Sequence, residues 1–201
     1  MWMDLFENTM EHLDTGGWVM FPLILVSIFM TFLITRKLLE MRLFTKGDLP
    51  MEQCVASIGK PDFSAAAWQM DIINGFLKKR TRIENLDRSI LECLRLREES
   101  FVKRYTGTIN ILANIAPLLG LLGTVGGMIK TFAVIALYGT GNAKALASGI
   151  SEALITTQTG LVVAIPGIFL AGFLRRKSDK LLDRMQRFCL GLLKSHHGIE
   201  A

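Results

Sequence analysis

The chain has 201 residues, half of them hydrophobic, with 23 Lys and Arg against 18 Asp and Glu and a mean hydropathy of +0.37. That average hides strong segregation: residues 15–35, 105–129 and 153–174 carry no Asp, Glu, Lys or Arg. At about 1.5 Å rise per residue each stretch reaches roughly the 30 Å of a bilayer core, which excludes an ordinary water-soluble domain and predicts three membrane spans.

Charge placement orients them. Residues 1–15 hold four acids and no Lys or Arg, residues 36–104 hold 14 of the 23 basic residues, residues 175–201 hold seven, and only Lys130 and Lys144 lie elsewhere. The positive-inside rule puts both basic segments in the cytoplasm and leaves the N-terminus and the 139–151 connection on the other side, as three spans require. Topology and contact with anionic membrane lipids account for the basic excess. No RNA- or DNA-binding module is recognisable, so no nucleic acid partner is expected. The predicted fold class is an all-α integral membrane protein with three transmembrane helices, the second and third extending into a cytoplasmic helical domain.

In chain order, residues 1–15 place Trp2, Leu5, Phe6 and Met10 among acids, the pattern of a short interfacial helix. Residues 14–17 break it. The first span, 16–35, has Trp18 at the expected interface and Pro22 near its start, where proline is least disruptive. The acidic segment before it and the absence of a small-residue cleavage site predict that it stays in the mature protein. Arg36 and Lys37 mark its inner boundary.

Residues 36–104 read as a helical domain. A break at 47–50 precedes a short helix at 51–58, residues 59–62 signal a turn, and the pattern is helical from about residue 64. Ile83, Leu86, Ile90, Leu94 and Phe101 recur between charges, as on an amphipathic helix with a solvated face. With no strong breaker between Ile83 and Pro117, this helix is expected to run without a loop into the second span, 105–138.

On a 100° wheel, Thr106, Asn110, Ala113, Pro117, Gly120, Thr124, Gly127 and Thr131 gather on one small, partly polar face of that span. Lys130 points away from it, either snorkelling outward or pairing with a neighbour's acid. Replacing it by Met is expected to be mild unless such an acid neutralises it. After the 139–151 connection, the third span, 152–174, gathers Ala153, Thr157, Gly160, Ala164 and Gly167 in one sector, with Pro166 deep inside as a candidate kink. Residues 175–177 end the span. Residues 178–194 return to a helical pattern with Leu181, Leu182, Met185 and Phe188 on its apolar side, forming with the tail the last cytoplasmic segment, 175–201.

A helix that serves only as an anchor can be all Leu, Ile and Val. Gly120, Gly123, Gly127, Gly160, Ala164 and Gly167 instead permit close helix packing, and intramembrane hydroxyls raise the prospect of an ion path. Pro117 and Pro166 shape the two helices. Asn110, Thr131, Lys130, Gln158 and Thr159 are candidate auxiliary polar contacts. No catalytic triad, metal cluster or cofactor fingerprint is present, and residues 120–127 lack the Lys-Ser/Thr ending of a phosphate loop. No enzyme activity, cofactor or metal is therefore expected. Cys54, Cys93 and Cys189 are isolated and read as structural thiols. His196 and His197 lie far from any ligand cluster and read as part of a solvated tail, with adventitious metal binding by the pair as the alternative.

The run Ala116-Pro117-Leu118-Leu119-Gly120-Leu121-Leu122-Gly123-Thr124-Val125-Gly126-Gly127-Met128 closely resembles the proton-channel family of ExbB, TolQ and MotA. So does Gly149-Ile150-Ser151-Glu152-Ala153-Leu154-Ile155-Thr156-Thr157 with the following 160–166. The motif-level resemblance covers about 113–167. Three spans resemble ExbB and TolQ rather than the four-span MotA, and the 124–132 run and 139–151 connection are more similar to ExbB. The resemblance implies a subunit of the bacterial inner membrane with a periplasmic N-terminus and cytoplasmic C-terminus. It implies a homopentamer around a dimer of an ExbD-like single-span protein whose membrane aspartate is protonated, with force passed to a TonB-like protein. An envelope motor of the TolQ kind and a non-conducting oligomeric scaffold are the alternatives.

By the same resemblance Thr124 and Thr157 match the family threonines of the second and third spans and are expected to face the central partner, with helix packing as the competing role. Glu152 matches the family acid, and Pro117 and Pro166 match family prolines. Gln158 and Thr159 make the third span more polar than the family pattern. Glu152 has two readings: it admits protons near the outer mouth, or it caps the third helix or makes an interhelical hydrogen bond. Hydroxyls suit proton or sodium alike; the resemblance favours protons.

Overall fold

A computed structural model describes residues 16–57, 65–81 and 83–197, the side chains of 55–57 excepted. The short helix expected within 1–15 lies outside the described residues. Every regular element described is helical: α1 Met20–Phe44, α2 Met51–Ser57, α3 Ala67–Lys79, α4 Glu84–Lys103, α5 Thr106–Tyr138, a 3₁₀ turn at Gly139–Gly141, and α6 Ala143–His197. Three helical stretches, α1, Glu84–Gly141 and α6, are long and apolar enough to cross a membrane. Phe21, Leu25, Phe132 and Phe169 stay exposed on them, a surface tolerable only against lipid or partner helices. The chain is an all-α membrane protein.

Three local features differ from the sequence reading. The second span does not continue α4: the chain breaks between Lys103 and Thr106, where Tyr105 has φ 66°. Left-handed backbone costs a non-glycine residue about 1–2 kcal/mol, and no Gly or Pro stands at residues 103–106. The Arg36 and Arg104 guanidiniums lie 5.3 and 4.8 Å from the Tyr105 ring centroid and offset that cost. A second break separates α3 from α4. There Arg80 N–H closes onto Phe76 O at 2.7 Å, and Asp87 accepts the Thr81 N–H at 2.6 Å. Third, α6 begins at Ala143, where Asn142 Oδ1 accepts the Ala145 N–H at 3.1 Å. Glu152 is therefore well inside the helix and does not cap it. Pro117 and Pro166 both lie inside continuous helices.

The chain forms two compact units. One takes in residues up to Ile34 and Gly107–Gly172; the other takes in Thr35–Thr106 and the residues from Phe173 onward. The second unit has the larger apolar core. Trp68, Ile72, Ile73 and Phe76 fall on one face of α3 and meet Leu181, Met185, Phe188 and Leu192 of α6, with Trp68 edge-on to Phe188 at 5.2 Å. Buried Gln69 staples the chain before α2: its Oε1 accepts from Leu49 and Ala66 N–H, and its Nε2 donates to Leu49 O at 2.7 Å. Of the two boundary cations, Lys37 is buried, its ammonium donating to Phe101 O at 3.2 Å and to Glu40 at 3.4 Å. Cys54 and Cys189 are buried, Cys93 exposed. Burial pushes the Cys189 thiol up to about 11 and raises Cys54 as well, so both are unreactive packing groups.

The histidine pair is not a solvated tail. His196 and His197 keep only 24% and 15% of their side-chain exposure, and both face the buried carboxylate of Asp87. The 110 residues between Asp87 and His197 hid this contact from a one-dimensional reading.

Candidate functional site

The first unit is built on a seam of small residues between α5 and α6. Its buried α5 positions are Ile109, Ala113, Ala116, Gly120, Gly123, Gly127 and Thr131; on α6 they include Ala153, Thr156, Gly160 and Ala164. The helices touch backbone to backbone. A Cβ placed on Gly160 would stand 3.0 Å from both Ala116 O and Gly120 Cα, and one on Gly127 would stand 2.7 Å from Gly149 O and 2.9 Å from Ala153 Cβ. At Gly123 it would strike the Thr156 side chain. Helix α1 covers this pair through Leu23, which clusters with Ala116 and Ala164. Gly167 makes room for the Met30 thioether, which a Cβ there would meet at 2.6 Å.

The seam shares Ala113, Gly120, Gly127 and Thr131 of α5 and Ala153, Gly160 and Ala164 of α6 with the small-residue faces of the wheel. Ala116, Gly123 and Thr156 are buried in the contact, and a Cβ on Gly120 would meet the Thr157 Cα at 3.3 Å across it. Thr124, Thr157 and Pro117 are half-buried on its flanks, Asn110 and Gln158 are exposed, and Thr159 is half-buried.

Within this unit Thr124, Thr131, Thr157 and Thr159 are bonded back to their own helices. Thr124 Oγ1 donates to Leu121 O at 2.7 Å, Thr131 to Gly127 O at 3.0 Å, Thr157 to Ala153 O at 3.1 Å and Thr159 to Ile155 O at 2.8 Å. Each hydroxyl spends its one proton on a carbonyl and presents lone pairs to whatever approaches it. Thr156 has 0% exposure, its hydroxyl 2.5 Å from Glu152 O and 3.3 Å from Gly16 O. The sequence reading passed over Thr156 and took residues 14–17 only as a break. The signal available was two adjacent threonines, of which one had to face the seam.

At one end of the seam Lys130 and Glu152 form an ion pair, the ammonium 2.5 Å from one carboxylate oxygen and 2.8 Å from the other. Glu152 is the acid that meets Lys130, so the condition under which Lys130→Met is not mild is fulfilled. Gly17, at φ +68°, packs on the same carboxylate so closely that no Cβ fits between them. The pair ties α5 to α6 and the turn before α1 to both.

Comparison with known proteins agrees with this architecture. Residues 63–187 match the MotA/TolQ/ExbB proton channel family. A 162-residue stretch is 36% identical to the biopolymer transport protein ExbB-like 1 of Synechocystis sp., covering 75% of this chain and 64% of that one. Another of 85 residues is 45% identical to biopolymer transport protein ExbB of Aquifex aeolicus (40% and 57% of the two chains), and 77 residues are 38% identical to ExbB of Salmonella typhimurium (38% and 32%). The chain spans less than two thirds of the length of each. With the family match running through more than half of the chain, and through both helices of the seam, this protein belongs to the MotA/TolQ/ExbB proton channel family.

Proposed function

We propose that the chain is an ExbB-like channel subunit of the bacterial inner membrane, with its N-terminus in the periplasm, that couples the proton motive force to transport across the outer membrane. In this reading five copies surround a dimer of an ExbD-like single-span protein, and the complex acts on a TonB-like protein. The ExbB names of the relatives support it. The observation that carries it is the set of back-bonded hydroxyls on the flanks of the seam.

Thr124 and Thr157 cannot titrate at physiological pH, so a separate acid has to carry the proton, and an aspartate on the partner's helix is the economical carrier. With their protons committed to Leu121 O and Ala153 O, both threonines offer acceptors. An acceptor stabilises a protonated carboxyl or a bridging water; it does not stabilise a bare carboxylate. The flanks of the seam thus suit the neutral state of a moving acid. The Lys130 ammonium on Glu152 supports a fixed electrostatic role for Glu152, with the transported proton carried elsewhere.

Thr157→Ala removes one such acceptor. At about 1–1.5 kcal/mol for a hydrogen bond, proton-coupled activity is expected to fall about tenfold, with assembly retained because Thr157 lies beside the seam. The check is acidification of a trapped pH dye in proteoliposomes holding this chain and its partner, at matched protein levels. Unchanged flux in that variant would remove Thr157 from the path. No driven proton movement in the complete wild-type complex would favour a scaffold.

A further inference from the structure

In the second unit, three groups that bind transition metals meet where the first turn of α4 faces the last turn of α6. Asp87 is wholly buried. Its Oδ1 accepts the Thr81 N–H at 2.6 Å and the Thr81 hydroxyl at 3.0 Å, which turns Oδ2 toward α6. There Oδ2 lies 2.9 Å from His197 Nε2 and 3.7 Å from His196 Nδ1. The three ligand atoms all fall within 4.8 Å of one another. His196 Nδ1 is buried with no hydrogen-bond partner, its ring edge-on to buried Phe76 at 5.4 Å.

We propose that Asp87 Oδ2, His196 Nδ1 and His197 Nε2 form a binding site for a zinc-class divalent cation. Zinc bonds to imidazole nitrogen and carboxylate oxygen are about 2.0–2.2 Å, so tetrahedral ligands stand roughly 3.3–3.5 Å apart. The two separations from Oδ2 bracket that value, and the two imidazole nitrogens lie within 4.8 Å of each other. Two imidazoles and one carboxylate suit zinc, cobalt or nickel rather than magnesium or calcium, which take oxygen ligands. Three protein ligands leave a fourth position to water. Thr81 supplies the outer-shell support that fixes a ligating carboxylate. The C-terminal turn of α6 favours a positive charge at the same spot. A bare Asp87–His197 hydrogen bond accounts for two of the groups and leaves the buried His196 nitrogen unpaired; a shared cation accounts for all three. Bound there, it fastens the described end of α6 to the start of α4.

The test uses the full chain in its detergent-solubilised complex, purified with a histidine-free tag and stripped with a chelator. Co²⁺ is titrated against the visible spectrum and then displaced with Zn²⁺. One Co²⁺ per chain, giving the intense band of a four-coordinate site and lost on Zn²⁺ addition, is the expected result. The chain has one other histidine, His12. His196→Gln with His197→Gln should abolish the band, and Thr81→Val should weaken Zn²⁺ binding about 10–100-fold, each with helical circular dichroism unchanged. Absence of saturable Co²⁺ binding in the wild type would overturn the proposal, as would binding that survives the double histidine change.

Discussion

Gly127→Ala is expected to unfold the seam, while Gly126→Ala, one residue earlier, is expected to leave it intact. The chemical change is the same methyl group in the same helix. At Gly127 that methyl meets Gly149 O at 2.7 Å and Ala153 N and Cβ at 2.9 Å. Two of these three are backbone atoms, so no rotamer change relieves the clash and α5 has to move off α6. Overpacking of this kind costs about 1–3 kcal/mol, and here the displaced element is a helix that also carries Thr131 and Lys130. At Gly126 nothing lies within 4 Å, and replacing a helical glycine by alanine gains about 0.5–1 kcal/mol. Thermal unfolding of the isolated chain in detergent should therefore separate the two variants in opposite directions from the wild type. Equal midpoints would mean that α5 and α6 do not pack through Gly127. A Gly126→Ala variant that unfolds normally but fails to assemble would place Gly126 in the contact between subunits.

Lys130→Met is expected to be the most damaging change among the charged residues of the first unit. Glu152 retains 15% exposure and Lys130 55%, so the pair lies between an exposed ion pair, worth about 0–1 kcal/mol, and a buried one, whose breaking costs about 3–5 kcal/mol. A loss of roughly 1–3 kcal/mol follows, most of it from the carboxylate left without its cation against Gly17. Glu152→Gln should cost less, because a neutral amide needs no counter-charge. The double change should cost less than the sum of the single ones. A double-mutant cycle on unfolding midpoints checks this: a coupling of about 1 kcal/mol or more is expected, whereas additive losses would show that the two side chains do not act together.

The sequence reading succeeded where a one-dimensional signal has a direct physical cause. Uncharged stretches of bilayer length predict the three apolar helices, and recurring apolar positions predict that Leu181, Met185 and Phe188 are buried together. It failed where the cause is three-dimensional. Tyr105 takes a left-handed conformation with two arginines gathered over its ring, and no Gly or Pro stands at residues 103–106 to announce a break. The wheel gathered Gly120 and Gly127, and which adjacent small residues join them in the contact depends on where the backbones touch. Lys130 carried a legible question, whether a neighbouring acid meets it, and only the fold supplies Glu152. The histidines were misread because their partner is over a hundred residues away.

The proposal that this chain works as one member of a proton-driven complex is tested most directly by native mass spectrometry of the chain co-expressed with its genomic neighbours in mild detergent. Five copies retaining two copies of a single-span protein with an aspartate in its membrane helix are expected. A stable assembly of this chain that holds no such acid-bearing partner would contradict the account, because the threonines beside the seam would then have no carboxyl to serve.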